Sequence, residues 1–520
     1  MLTHEANGET RFSFWPRVRE FAVPASMIET ATARRLVGDW AGACAAAGFD
    51  VDLDLRSLAR THGRDAATRI RSDLRHLAPD LLRWHMPRIA PDGLLRPGLT
   101  LPLARYELPD RDGPPGHLHL VARTAPAWAD GGQRIGLALW DAATASPLGV
   151  AATARHPHPR PSRRFRLDLH RHLWDARRAG ELRARSGADA GPADLAPGRP
   201  GQLPSVRAES TPAEAAWAEF ARVAATLGGA GTEGADPTWE DALGFTNAPR
   251  RAYGLPWAVE RWEAEARILL AAEGPSGEGP SGEGPFGPVG VRAAGRRLVL
   301  DVGPAPGAVR IADAPRGGTG APLPVLPDAA TRALPDLELL RAGAIEADRL
   351  HPLVAAALVP GFTPPAQPSP TPHDPGRPRI VECRGALHRI ALVDGVLSPL
   401  DHEPAELRRE ELLVALGGPP LPCLRAIDAT HRRPDALDGV RDRLAHGDTA
   451  GALAVVEGLL GPEAVLRDGP LRDALEDAAR RRITYGLYRN GLSEPPRAAP
   501  RVRATEKKAA RTRPRLAVAP

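Results

Sequence analysis

Proline cannot donate a backbone hydrogen bond, and glycine loses the most freedom when it is fixed, so a chain rich in both cannot form one continuous stack of helices or strands. Here glycine supplies 52 and proline 56 of 520 residues, about a fifth of the chain against a usual ~12%. They are clustered. Eight prolines fall between Pro360 and Pro378, Ser186 to Val206 is rich in Gly, Ala and Pro, and Glu-Gly-Pro-Xaa-Gly occurs three times from Glu273 to Gly287. The first two stretches read as linkers and the third as a flexible loop. At about 150 residues per domain, they divide the chain into an N-terminal α+β unit (1–185), a middle α+β unit (207–359) carrying the insert 273–287, a C-terminal unit (379–496) and a tail (497–520).

Within these units the periodicities predict α+β structure with short antiparallel sheets. Ser26 and Glu29 have capping-box spacing and predict a helix start at Ser26. Ile70, Leu74, Leu77 and Leu81 form a helical stripe interrupted near Pro79. Leu99 to Tyr106, His117 to Ala122 and Arg134 to Trp140 have the length and flanking turn residues of antiparallel strands. Thr211-Pro212-Ala213-Glu214 is a helix start, and Val259, Trp262, Ala266 and Leu269 mark a helix. Short strands are expected at Leu298 to Val302 and Val309 to Ala312. A meander follows at Ile380 to Cys383, Leu387 to Val393 and Val396 to Leu400, turning at Asp394-Gly395. Helices dominate from Ala405 to Gly491, and this last unit packs without tryptophan, since all ten tryptophans lie at or before Trp262.

Gly38-Asp-Trp-Ala-Gly-Ala and Gly447-Asp-Thr-Ala-Gly-Ala agree at five of six places. In each, glycine would end one helix, aspartate would cap the next, and alanines would allow close approach. The string resembles the hinge of a tetratricopeptide unit, which implies a helix hairpin at both places. It lacks tandem copies at a period near ~34 residues.

Charge excludes more than it identifies. The only lysines are Lys507 and Lys508, so a Walker A loop, a kinase strand lysine and a pyridoxal Schiff base cannot be built in the usual way. The formal net charge is +5, but the tail from Arg497 onward holds eight basic residues against Glu506. That tail is too polar to bury a core and reads as disordered. Ten arginines crowd Arg155 to Arg185 against Asp168, Asp175 and Glu181, on a body that is otherwise acidic. Within that stretch Arg160, Arg163, Arg164, Arg166, Arg171, Arg177 and Arg178 are candidates for phosphate contact, with Trp174 and Phe165 available for stacking. A solvated face paired with the acidic remainder is the other reading. Arg480-Arg481-Arg482 with Tyr485, Tyr488 and Arg489 gives the last helix a basic, aromatic edge.

Asp50, Asp52 and Asp54 alternate with apolar residues. On a strand they would share one face and could hold Mg²⁺. The pattern resembles the Asp-x-Asp opening of haloacid-dehalogenase-type phosphatases, although that family's later lysine has no counterpart here; a half-exposed strand gives the same alternation. The His156/His158 and His170/His172 pairs lie beside the arginines, and the second, on an expected helix, would point its rings apart. Cys383 and His388 can approach across the Arg384-Gly385-Ala386 bend. His402-Glu403-Pro404 begins like a zinc helix but has Glu406 at the fourth place. Cys44, Cys383 and Cys423 are too few and too far apart in sequence for a disulfide scaffold or a cysteine zinc site, which points to a reducing compartment. The polar Met1 to Thr10 and the absence of an apolar run near ~20 residues place the protein in the cytoplasm, off membranes.

The sequence therefore predicts a multidomain, non-catalytic interaction or scaffold protein with an unidentified protein partner and no cofactor. The alternatives are a nucleic-acid-associated protein using Arg155 to Arg185 and the tail, and a divalent-metal phosphohydrolase at Asp50, Asp52 and Asp54.

Overall fold

A computed structural model describes residues 14–108, 116–142, 146–148, 156–188, 255, 257–273, 285–293, 296–314, 323–362, 379–383, 385–393, 396–416, 418–432, 437–460, 466 and 468–493. The helix start at Thr211, the tight turn at Asp394-Gly395, the tail and most of the three Gly/Pro-rich stretches lie outside these residues.

After a short helical entry at 14–22, the chain forms α1 (Ala25–Leu36), α2 (Trp40–Ala46), β1 (Phe49–Val51), α3 (Leu55–His62), α4 (Arg64–His76) and α5 (Pro79–His85). Pro79 both stops α4 and opens α5, because it has no N–H to give and its φ suits a first helical position. The three expected strands follow as β2 (Thr100–Glu107), β3 (His117–Thr124) and β4 (Ile135–Asp141), all antiparallel. A short β5 (Ser146–Leu148) pairs with the outer part of β4. The sheet order is β1-β4-β3-β2. Unlike the rest, β1 runs parallel to β4, with Phe49 opposite Ile135.

Two expectations need correction. The helix expected at Ser26 begins at Ala25, with Pro24 as its unassisted cap. Ser26 is already inside the first turn, too late to act as the cap. β1 ends at Val51, and Asp54 caps α3 through the Arg56 N–H. The three aspartates therefore do not share a strand face.

The second sheet comprises β6 (Gly287–Ala293), β7 (Arg296–Val302) and β8 (Val309–Asp313), following α6 (Val259–Glu273). β6 was hidden in the sequence by its two glycines and proline. Val289, Val291 and Ala293 on β6, and Leu298, Leu300 and Val302 on β7, are buried at every second place, and they pack on Trp262, Ala266 and Leu269 of α6. The next segment returns to the first sheet. It forms α7 (Pro335–Arg341) and α8 (Pro352–Leu358), and Leu337, Val354, Ala355 and Leu358 join the core made by Ile70, Leu74, Leu81, Leu82 and the inward residues of β2 to β4.

The C-terminal segment opens with the meander β9 (Arg379–Cys383), β10 (Ala386–Val393) and β11 (Val396–Pro399), then runs through α9 (Pro404–Ala415), α10 (Pro422–Arg432), α11 (Leu437–His446), α12 (Thr449–Leu460) and α13 (Pro470–Arg489). Val440, Leu444, Ala452, Leu460 and Leu471 form the core of the last three helices. The fold is α+β. Among the described residues, no helix is long and apolar enough to cross a membrane.

Candidate functional site

The last three helices lie against the N-terminal sheet and helices, and Asp50 on β1 and Asp52 just beyond it help to hold them there. Asp50 accepts two hydrogen bonds from Arg134, both 2.7 Å, and one from the Tyr485 hydroxyl at 2.7 Å. Arg489 reaches Asp50 at 3.0 Å and also pairs with Asp52. Burial acts to raise the Asp50 carboxyl, but Arg134, Tyr485 and Arg489 outweigh it and hold it below the usual range. For Asp52 burial prevails over Arg489, and the carboxyl is raised. The Tyr485 hydroxyl is raised by burial and by the Asp50 charge beside it. Tyr485, Tyr488 and Arg489, expected from the sequence at an outer edge, thus form an inward-facing contact on α13.

Most of the arginine stretch is engaged within the molecule. Arg164 makes a bidentate pair with Asp328, and Arg166 pairs with Asp168 and Glu273. Arg171 and Arg177 converge on Asp73 at 2.6 Å each and on Asp175 at 2.7 and 2.8 Å, and Arg178 pairs with Glu181. Arg160 and Arg163 are exposed. The expected helix at His170 to Asp175 is a 3-10 turn over Arg171–Leu173. His170 pairs with Glu265 at 3.1 Å, and the His170 and His172 rings lie 5.8 Å apart. The indole of Trp174 is buried and donates to the Leu167 carbonyl at 2.9 Å.

A cleft of about 430 Å³ opens where the two parts meet, between α1 and the Gly131-Gly132 turn on one side and the start of α12 and the middle of α13 on the other. Its polar walls are Arg83, Arg134, Arg481, Arg482, Ser26, Thr30, Asp448 and Thr449. Arg83 is buried and gives its hydrogen bonds to the carbonyls of Ala22 (2.8 Å), Gln133 (2.7 Å), His446 (2.8 Å) and, at 3.5 Å, Ala47. Burial, with Arg134 adding to it, pushes its guanidinium down to about 10, so it remains cationic at neutral pH. Its positive charge is met by dipoles rather than by a bonded carboxylate. Arg134 is matched by Asp50, and Asp448 by Arg443 at 2.9 Å. Arg481 and Arg482 are exposed and make no ion pair among the described residues. The uncapped start of α1, from Pro24 to Met27, adds a positive helix end to the same wall. Little in the sequence could have revealed this cleft, because Arg83 and Arg481 are joined only by the docking of distant helices.

One cluster of His, Cys and carboxylate groups among the described residues stands close enough to hold a metal ion: Cys383, His402 and Cys423. Comparison with protein-family models, with curated proteins and with solved structures finds no match.

Proposed function

We propose that this is a non-catalytic interaction protein whose arginine-lined cleft receives an anionic group of its partner. The observation that supports this reading most directly is Arg83, a buried cation bonded to carbonyls alone, behind Arg481 and Arg482 at the cleft surface. A bound phosphate or carboxylate would neutralise charge that the fold leaves unmatched, and charge-assisted hydrogen bonds are about twice as strong as neutral ones. The volume falls within the roughly 300–1,000 Å³ typical of small-ligand pockets. The three free, buried cysteines support a reducing compartment such as the cytoplasm.

Thermal melts of the full chain with inorganic pyrophosphate or ATP test the cleft. Stabilisation is expected in the parent and is lost in the Arg481→Ala/Arg482→Ala double variant. Failure of either probe to stabilise the parent at millimolar concentration, or equal stabilisation of the double variant, would remove the proposal.

A second reading, nucleic-acid association, draws on the exposed Arg160 and Arg163 together with the basic tail. It requires affinity for a DNA or RNA duplex that falls steeply with salt. A flat salt dependence would exclude phosphate-driven binding.

A further inference from the structure

We propose that Cys383, His402 and Cys423 bind a transition-metal ion of the zinc class, joining the meander to the helices that follow it. The three residues come from different elements: Cys383 from the last position of β9, His402 from the loop before α9, and Cys423 from the first turn of α10. Both cysteines are fully buried and His402 is 8% exposed. Their donor atoms all lie within 4.8 Å of one another. Zinc, with sulfur at ~2.3 Å and nitrogen at ~2.0 Å in a tetrahedron, needs ligand atoms roughly 3.5–3.8 Å apart. Closing the cluster therefore takes movements of about an ångström or less.

The histidine is already arranged as a ligand. Its Nδ1 stands 3.1 Å from the Glu406 carboxylate, in the first turn of α9. With the proton on Nδ1 donated to Glu406, Nε2 carries the lone pair. That Nε2 is buried and has no hydrogen-bond partner among the described residues. A carboxylate behind a histidine whose other nitrogen is free is the arrangement that orients metal-ligating imidazoles and makes them more basic. The His388 ring stacks on His402 at 4.2 Å with 24° between planes, fixing the imidazole from its other side. Thiolates and imidazole together select zinc-like ions over Mg²⁺ or Ca²⁺.

Glu406, in the place where a zinc helix would have a second histidine, buttresses His402 instead, and Pro404 is the first residue of α9, so His402 stands outside the helix and reaches the two cysteines from the loop. Among the described residues, Cys383 and Cys423 are buried together with Ile390, Leu421 and Ile427 in the hydrophobic cluster that ties the meander to α10, so a metal held there would bridge the two elements from within their shared core. Binding would release the two thiol protons to solvent and leave a dithiolate on the ion.

Metal content of the purified full chain, followed by chelation and Co²⁺ titration, tests the site. About one zinc per chain is expected. Cobalt should give sulfur-to-metal charge-transfer absorption that disappears in Cys383→Ser and Cys423→Ser and weakens at least tenfold in titration of His402→Ala. Because these variants can lose the local fold, alkylation of the parent supplies a second reading: zinc should protect both cysteines from iodoacetamide in the native protein, and chelation should expose them. Parent protein that gives no cobalt–thiolate absorption, or whose alkylation is indifferent to zinc, overturns the proposal. So does isolation of Cys383 and Cys423 as a disulfide that takes up no metal after reduction.

Discussion

His85 and His446 are single residues with a consequence for the whole protein's response to acid. Burial, reinforced by nearby arginines, pushes each of them down to about 3 from an ordinary value of 6.5. Between those two values the unfolded chain holds more protons than the folded one. Stability is therefore full above about pH 6.5 and falls as the pH drops toward 3, by up to ~1.4 kcal/mol per pH unit for each histidine. His446 stacks on Phe21 across the seam, while its carbonyl accepts from Arg83. His446→Gln should flatten the fall in melting temperature between pH 6.5 and 4.5, and an unchanged slope would show that this ring is not among the groups taking up protons. Neither histidine stood out in the sequence, because nothing local distinguishes a buried imidazole from a solvated one. The arginines of 155–185 show the same limit from the other side. Their density was plain, but their partners Asp73, Glu265 and Asp328 lie 80 to 164 residues away in sequence.

The two Gly-Asp strings become the same element twice. Gly38 and Gly447 take φ +80° and +86°, a conformation that glycine enters without a Cβ clash. Asp39 then caps the Gly42 N–H at 2.8 Å and Asp448 caps the Gly451 N–H at 2.9 Å. In both hairpins the arginine five residues earlier binds the capping carboxylate, Arg34 at 2.8 Å and Arg443 at 2.9 Å. These hairpins were legible because glycine and aspartate act on their immediate neighbours, as were Pro79 and the strands with alternating burial. At Ser26 the same local logic misleads, since the helix already begins at Ala25 behind Pro24. The two copies differ in surroundings, with the Arg443–Asp448 pair less exposed than Arg34–Asp39. Asp448→Ala should cost roughly 1–2 kcal/mol in chemical denaturation, and Asp39→Ala clearly less. Equal losses would mean that α12 gains nothing from its position at the seam.

At the scale of the molecule, that seam depends on two glycines meeting. A methyl group on Gly447 would collide with the carbonyl of Gly132, whereas one on Gly38 would meet nothing within 4 Å. Both Gly→Ala changes force a side chain into the left-handed region at ~1–2 kcal/mol. Any excess in Gly447→Ala therefore measures the contact between the C-terminal helices and the body. We expect that excess, together with faster proteolysis in the α11–α13 region, and identical behaviour of the two variants would refute the contact. The Gly/Pro-rich stretches marked divisions in sequence that the cores cross. Trp84 donates to Asp336 and His351 meets Asp80, pairs separated by 252 and 271 positions. The first hydrophobic core is completed only by Val354 to Leu358. A nascent chain emerging from the ribosome would therefore hold this core incomplete, without Leu334 to Leu358, while more than 150 residues beyond Leu182 are translated. Loop closures this long are slow, and an unfinished core of this kind is open to aggregation during synthesis.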